Sequence, residues 1–284
     1  MRNDFAVFIL SHGRANNVET LKTLEKCNYK GKIYIIIDNE DKQKEEYKKL
    51  KCTDVIVFNK SEMIENTDTI DNFKDHRLVV YARNKCWDIA KKLKLNYFLV
   101  LDDDYNELGY RYVDENGTFK HDKNYITNVE KLFDACIEFL ETSNAITVAL
   151  AQSGDYIGGA NSFYYKGLSR KAMNSFFCKT DRPFKFLGST NEDVNMYITY
   201  GQKGYKIFTI TNVYINQPQT QQNSGGLTDI YLDNGTYIKS FYSVICAPSC
   251  AKVATMGDNH LRIHHQINWN NCCPKIISEK YKRK

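Results

Sequence analysis

No apolar run in this chain reaches the length of about 18 residues that a membrane-spanning helix requires. No secretory signal opens it: "MRNDFAVFIL" carries only a short apolar stretch. The expectation is a cytoplasmic protein with no membrane partner, whose nine scattered cysteines are reduced thiols. No G-x-x-x-x-G-K-S/T occurs, and no G-x-G-x-x-G follows the first apolar run, which excludes P-loop and dinucleotide-binding readings. Internal repeats and low-complexity linkers are lacking as well. The simplest organisation is one domain over residues 1–235 with a C-terminal extension, 236–284, packed on it and ending in the basic tail "PKIISEKYKRK". Net charge is small: a formal +5 permits a polyanionic partner without demanding one.

Aromatic residues are plentiful, and 20 tyrosines argue against disorder. Phe5–Leu10 reads as a strand, and Val18, Leu21 and Leu24 have helical spacing. "KIYIIIDNED" is a second strand, "DKQKEEYKKL" a charged helix and "DVIVFN" a third strand. Arg77–Leu93 is a helix, and Tyr97–Leu101 a short buried strand. "YNELGYRYVDENGTFKH" is a hairpin around Asn116-Gly117, "YITNVEKLFDACIEFLETS" an amphipathic helix, "AITVALAQSG" a buried strand, and "NEDVNMYITYGQKGYKIF" a helix followed by a strand. The Asn-Gly-Thr triplets at Asn116 and Asn234 are turn signals. Strands alternating with helices imply an α/β fold, with ligands gathering at the carboxyl ends of the strands. Those ends carry Ser11-His12-Gly13-Arg14, Asp38-Asn39 and Asp102-Asp103-Asp104, three polar clusters on one rim.

Three consecutive aspartates repel one another unless something positive sits among them. Asp102 and Asp104, one residue apart in an extended segment, face the same way and suit a hard cation such as Mn²⁺ or Mg²⁺. The alternative is a solvated acidic turn. Asp38 could accept from a uracil or a ribose, Arg83 could contact a phosphate or a base, and Arg14 could do either. Cys246-x-x-x-Cys250 and Cys272-Cys273 could offer thiolates to zinc, but neighbouring cysteines seldom share an ion, and apolar packing is the plainer reading. "SFYYKGLSRK" and "YIKSFY" interleave aromatics with cations, which suits stacking on a base beside phosphates. They also read as core aromatics and surface lysines.

The pieces "FILSHGRANN", "IIIDNED", "YARNKCWDIA", "FLVLDDDY" and "NEDVNMYITYGQKGYKIF", spread over about residues 5 to 210, resemble the GT-A glycosyltransferases in their order. The resemblance implies a Rossmann-like, mixed and mainly parallel sheet flanked by helices, with a loop-rich C-terminal part. It implies a metal held by Asp102 and Asp104, with His264 completing the site. It implies a nucleotide-sugar site that includes Ser11, Arg14, Asp38, Arg83 and Asp103, and a catalytic base in Glu192-Asp193, Asp193 first. Helix capping is the competing role for that pair. The C-terminal stretch "GTYIKSFYSVICAPSCAKVATMGDNHLRIHHQINWNNCCPKII" resembles the TET-associated glycosyltransferases of bacteriophages. That likeness implies transfer of a sugar from a UDP-sugar to the hydroxyl of a 5-hydroxymethylpyrimidine in double-stranded DNA, in the host cytoplasm if the gene is a phage's. The alternatives are a polysaccharide or protein acceptor, and a catalytically silent DNA-binding module on the same scaffold.

Overall fold

The computed structural model describes residues 2–51, 53–122, 126–156, 171–217, 227–235, 237–256 and 261–272. Its centre is a nine-stranded sheet in the order β3-β2-β1-β4-β8-β7-β9-β5-β6. The first four strands, β1 (Phe5–Leu10), β2 (Lys32–Asp38), β3 (Asp54–Phe58) and β4 (Tyr97–Asp102), pair in parallel. Beyond β4 the sheet is mixed. β8 (Ser175–Lys179) runs antiparallel between β4 and β7 (Thr147–Gln152), and β9 (Ile207–Asn216) is parallel to β7. β5 (Glu107–Val113) runs against β9, and β6 (Phe119–Asp122) against β5. Only β5 and β8 oppose the other strands, so the sheet is mixed and mostly parallel, as expected.

Strand alternation divides β1 between two cores. Ala6, Phe8 and Leu10 join one cluster, with Phe98 and Val100 of β4 and with α4 (Val80–Lys92). Phe5, Val7 and Ile9 join the other, with Leu99, Leu101, α1 (Glu19–Lys26) and α5 (Val129–Thr142). All six residues of β1 are buried. Helices cover both faces, which is why these strands read as unbroken apolar runs.

Some elements differ from the expectation. The charged helix after β2 is only the single turn α2 (Lys44–Tyr47), because its charges leave little but Tyr47 to bury. The helix over Arg77–Leu93 begins at Val80, after α3 (Lys60–Asn66) and a loop. β8, β10 (Ala251–Met256) and β11 (Arg262–Ile267) had no expectation. The acidic pair opens α6 (Glu192–Gln202), and α7 (Leu227–Asn234) and α8 (Ile238–Cys246) follow β9. Of the residues beyond 235, Ala247, Cys250, Ala251 and Cys272 lie in the same cluster as α4 and α6. The basic tail lies outside the described residues.

Phe98 is fully buried, stacked on Phe8 at 5.2 Å and edge-on to Trp87 at 5.4 Å. Phe98→Ala is expected to cost about 3–5 kcal/mol, read from the urea midpoint. An unchanged midpoint would contradict this packing.

Candidate active site

The polar rim is assembled by the loops after β1, β2 and β4. Past β1 the chain turns through Gly13, whose φ of +67° lies in the left-handed region. Ser11 donates to Asp103 Oδ2 at 2.5 Å and lies 2.7 Å from the Tyr47 hydroxyl. Arg14 Nη1 donates to Asp103 Oδ1 at 2.9 Å, and its backbone N–H donates to Tyr47. Asp41 accepts the Gly13 N–H. Asp38 faces Lys60 Nζ at 3.0 Å and His12 Nδ1 at 2.7 Å. Burial pushes the Asp38 carboxyl up, but His12 and Lys60 outweigh it and hold it down at about 2. The bond to Asp38 raises His12 in turn.

The aspartate triplet differs in geometry from the extended segment expected. The strand ends at Asp102, and Asp103-Asp104 form a turn. Thr20 pins that turn, donating to the Asp102 carbonyl at 2.6 Å and accepting the Tyr105 N–H at 2.9 Å. Asp103 points back to Ser11 and Arg14, whereas Asp102 meets Arg83. The Arg83 Nη2 donates to both Asp102 oxygens, at 3.1 and 3.2 Å. Its Nη1 sits 3.2 Å from Glu192 Oε1, an ionic contact without hydrogen-bond alignment. The guanidinium is 2% exposed and packs against the rings of Phe176 and Phe186.

Burial raises all three aspartates. Arg83 opposes the rise at Asp102, and Arg14 and Ser11 oppose it at Asp103. Asp104 has less relief. Burial, then Asp102 and Asp103, carry it up to about 7. Three carboxylates here face two guanidinium groups, Arg14 and Arg83, so the cluster keeps an excess of acidic groups. The buried Nε and Nη1 of Arg83 have no hydrogen-bond partner among the described residues.

Glu192 and Asp193 are both buried at the first turn of α6. Glu192 does not cap the helix; it faces Arg83. Its carboxyl is raised by burial and by Asp193, against the pull of Arg83. Asp193 Oδ1 accepts the Val194 N–H at 2.7 Å. The preceding loop is tightly held. Gly188 has φ +91°, and a Cβ there would meet Asn195 Nδ2 at 2.5 Å. Gly188 and Ser189 donate backbone N–H groups to Asp68 and Thr69. Asp71 accepts from the Ser189 hydroxyl and, at 2.5 Å, from Tyr242 of α8. Between these bonds Ile70 is driven to φ +69°, a strained conformation for a β-branched residue. Asn191, at φ +54°, donates to the Lys239 carbonyl and contacts His265 Nδ1, each at 3.0 Å.

Of the residues expected from sequence, Ser11, Arg14 and Asp103 form one bonded group, and Arg83, Asp102 and Glu192 form another. Asp38 stands between His12 and Lys60. His264 lies on β11 against His265, with ring centroids 4.2 Å apart. Among the described residues, no three His, Cys, Asp or Glu side chains are placed to hold a metal, so Asp102, Asp104 and His264 are not gathered into one site. The same holds for Cys246, Cys250 and Cys272; Cys273 lies outside the described residues. "SFYYKGLSRK" is described only at Lys171. In "YIKSFY", Tyr237 and Phe241 are exposed while Tyr242 is buried. Sequence reasoning missed Tyr47, Lys60 and Asp71. A tyrosine in a charged turn, a lysine opening a helix and an aspartate in a loop give no signal until the chain folds. No helix among the described residues is long and apolar enough to cross a membrane.

An α/β sheet with carboxylates at its strand ends and a second acidic pair at a helix start is compatible with group-transfer chemistry. Residues 5–226 match the model of the TET-Associated Glycosyltransferase family, and the chain belongs to that family. It is a glycosyltransferase. No curated protein matches the sequence. Among solved structures, it is similar to glucosyl-3-phosphoglycerate synthase from Mycobacterium tuberculosis, in a complex with Mn²⁺, UDP and phosphoglyceric acid. The identity is 10% and the TM-score 0.47, over 93% of this chain and 86% of that one. A second similar structure is a mycobacterial protein, at 8% identity and TM-score 0.45, over 93% of this chain and 83% of that one.

Two outcomes are expected. Arg83→Met leaves buried Glu192 and half-buried Asp102 without their cation and should cost about 3 kcal/mol in urea unfolding at pH 8. The Asp104 carboxyl binds its proton more tightly folded than unfolded. Its contribution is therefore full at low pH and is lost as pH rises from about 4 towards about 7. In chelator, Asp104→Asn should abolish that loss and exceed the wild type in stability at pH 8. An equal offset between the two proteins at pH 4 and pH 8 would refute the assignment.

Proposed function

We propose that this glycosyltransferase moves a sugar from a UDP-sugar to the hydroxyl of a 5-hydroxymethylpyrimidine in double-stranded DNA. The observation that carries the reading is the bridge made by Arg83. It joins the carboxylates at the end of β4 to the acidic pair at the start of α6, within one buried patch. A donor side and an acceptor side thus share one cation. The family name supports the DNA acceptor.

In this reading Asp102 and Asp104 hold Mn²⁺ or Mg²⁺. A divalent cation there would offset the charge of a diphosphate leaving group. Ser11, Arg14, Asp38 and Asp103 shape the nucleotide end of the cleft. Ser11 and Arg14 act partly by fixing Asp103, and Asp38 by fixing His12 and Lys60. Arg83 holds Asp102 and Glu192 in register from its buried position. Asp193 serves as base. A primary alcohol is a poor nucleophile until its proton is being removed, and a carboxylate on the acceptor side removes it during attack. Glu192 faces Arg83, and Asp193 accepts the Val194 N–H of the first turn, so the choice of Asp193 as base rests on the resemblance to the GT-A enzymes.

Asp193→Asn is expected to lower kcat by roughly 10²–10⁴ while sparing UDP-sugar affinity. Glu192→Gln should act less on kcat and more on donor affinity. The assay is sugar transfer to hydroxymethylated duplex with a panel of UDP-sugars and Mn²⁺, read by mass spectrometry. Near-normal kcat in both variants would remove the base from this pair and point to a retaining mechanism. Full turnover in excess chelator would remove the metal.

A further inference from the structure

The strand order β3-β2-β1-β4 puts a topological switch point between β1 and β4, since the chain leaves β1 for β2 on one side and returns to β4 on the other. In open α/β sheets ligands lie in the crevice that opens there, at the carboxyl ends of the strands. The Ser11–Asp103 bond spans that crevice. His12 follows Ser11 and reaches the opposite way, to the end of β2, where its Nδ1 meets Asp38 Oδ2 at 2.7 Å. Three charged side chains surround the ring. Asp38 ends β2, Asp41 lies in the loop after it, 3.8 Å from Nδ1, and Lys60 opens α3 on the far side of Asp38.

Those three are buried and already engaged. Asp38 Oδ2 also takes Lys60 Nζ at 3.0 Å, and its Oδ1 accepts the Glu40 N–H at 2.9 Å. Asp41 accepts the Gly13 and Gln43 N–H groups, each at 2.8 Å. The imidazole of His12 is 47% exposed instead, and its Nε2 has no partner among the described residues. The member of this cluster that a ligand can reach is therefore His12. Its tautomer follows from its partner. A carboxylate only accepts, so Nδ1 carries the proton, and Nε2 keeps its lone pair while the ring is neutral. Asp38, held at about 2, is a carboxylate throughout the neutral range. The bond to Asp38 raises the ring above its ordinary value, with Asp41 and against burial and Lys60. Above that raised value the ring presents one acceptor, and below it one donor.

We propose that His12 reads the nucleobase of the donor, its neutral Nε2 accepting the ring N–H of uracil, while Asp38 is the positioning residue that fixes the tautomer. The inference rests on the nucleotide-sugar reading above. With the diphosphate at the β4 turn, the nucleoside lies over the ends of β1 and β2, where Nε2 is exposed. Uracil carries a proton on N3, and cytosine carries a lone pair there. A ring held with Nε2 as acceptor favours UDP over CDP, and protonation of that nitrogen reverses the match. Base choice then belongs to the one exposed side chain of the cluster. Asp38, whose oxygens are taken by His12, Lys60 and the Glu40 N–H, acts through it.

The test titrates the full chain, in Mg²⁺, with UDP, CDP and inorganic diphosphate between pH 6 and pH 8, with thermal unfolding alongside. The wild type should bind UDP about tenfold more tightly than CDP at pH 8, the worth of one hydrogen bond. That ratio should shrink towards pH 6, as the ring takes up its second proton. His12→Asn keeps an amide N–H for Asp38 but has no atom in the place of Nε2. It should bring the ratio to about one at both pH values, with diphosphate affinity and unfolding unchanged. Asp38→Asn removes the charge that raises the ring, so the pH at which the ratio changes should move down. A midpoint that stays in place overturns the positioning role of Asp38. A wild-type ratio kept by His12→Asn, or diphosphate affinity lost in step with UDP affinity, overturns the role of His12 and leaves the donor reading intact. A wild-type protein that binds no UDP at either pH overturns the donor reading and His12 with it.

Discussion

A single buried guanidinium organises this protein. Taking a charge out of water costs several kcal/mol, and only close counter-charges recover it. Arg83 of α4 finds them in Asp102 at the end of β4 and Glu192 at the start of α6, with two phenylalanine rings against its faces. Three elements distant in sequence are thereby held at fixed separation. The arrangement is lopsided. One arginine faces Asp102 and Glu192, while Asp103 depends on Arg14 and Asp104 sits in the excess negative field. That excess leaves Asp104 raised to about 7.

The scaffold around the arginine is built to keep these groups still. The parallel strands β1, β2 and β4 deliver their polar ends to one edge because their connections return behind the sheet. Tyr47, Asp41 and Thr20 then consume the backbone groups that would otherwise let those loops move. On the far side, Asp71 and α8 hold the loop leading to Glu192, at the expense of strain at Ile70. Rigid placement suits group transfer, because groups held in reactive geometry avoid the entropy cost of orientation.

The C-terminal elements divide the labour differently. α8 turns Ser240, Tyr242 and Ser243 inwards to the catalytic loop and leaves Tyr237, Phe241 and Ile245 outside. β10 and β11 sit on it.

Much of this was legible before folding. Unbroken apolar runs marked β1, β2 and β4, because strands covered on both faces need no alternation. Acids and a serine-arginine loop at their ends marked the rim. Glu192-Asp193 stood out as two acids opening a helix. The partners of those groups were not legible. Arg83 meets Asp102 and Glu192, Asp38 stands between Lys60 and His12, and His264 lies against His265. Asp71, Tyr47 and Lys60 gave no sign at all. Periodicity is a local property, written in neighbouring residues, so the sequence by itself determined the strands, the helices and the chemical types gathered at the rim. Which carboxylate meets which cation depends on contacts such as Arg83–Asp102, 19 positions apart, and Arg14–Asp103, 89 apart, and only the tertiary structure decided those.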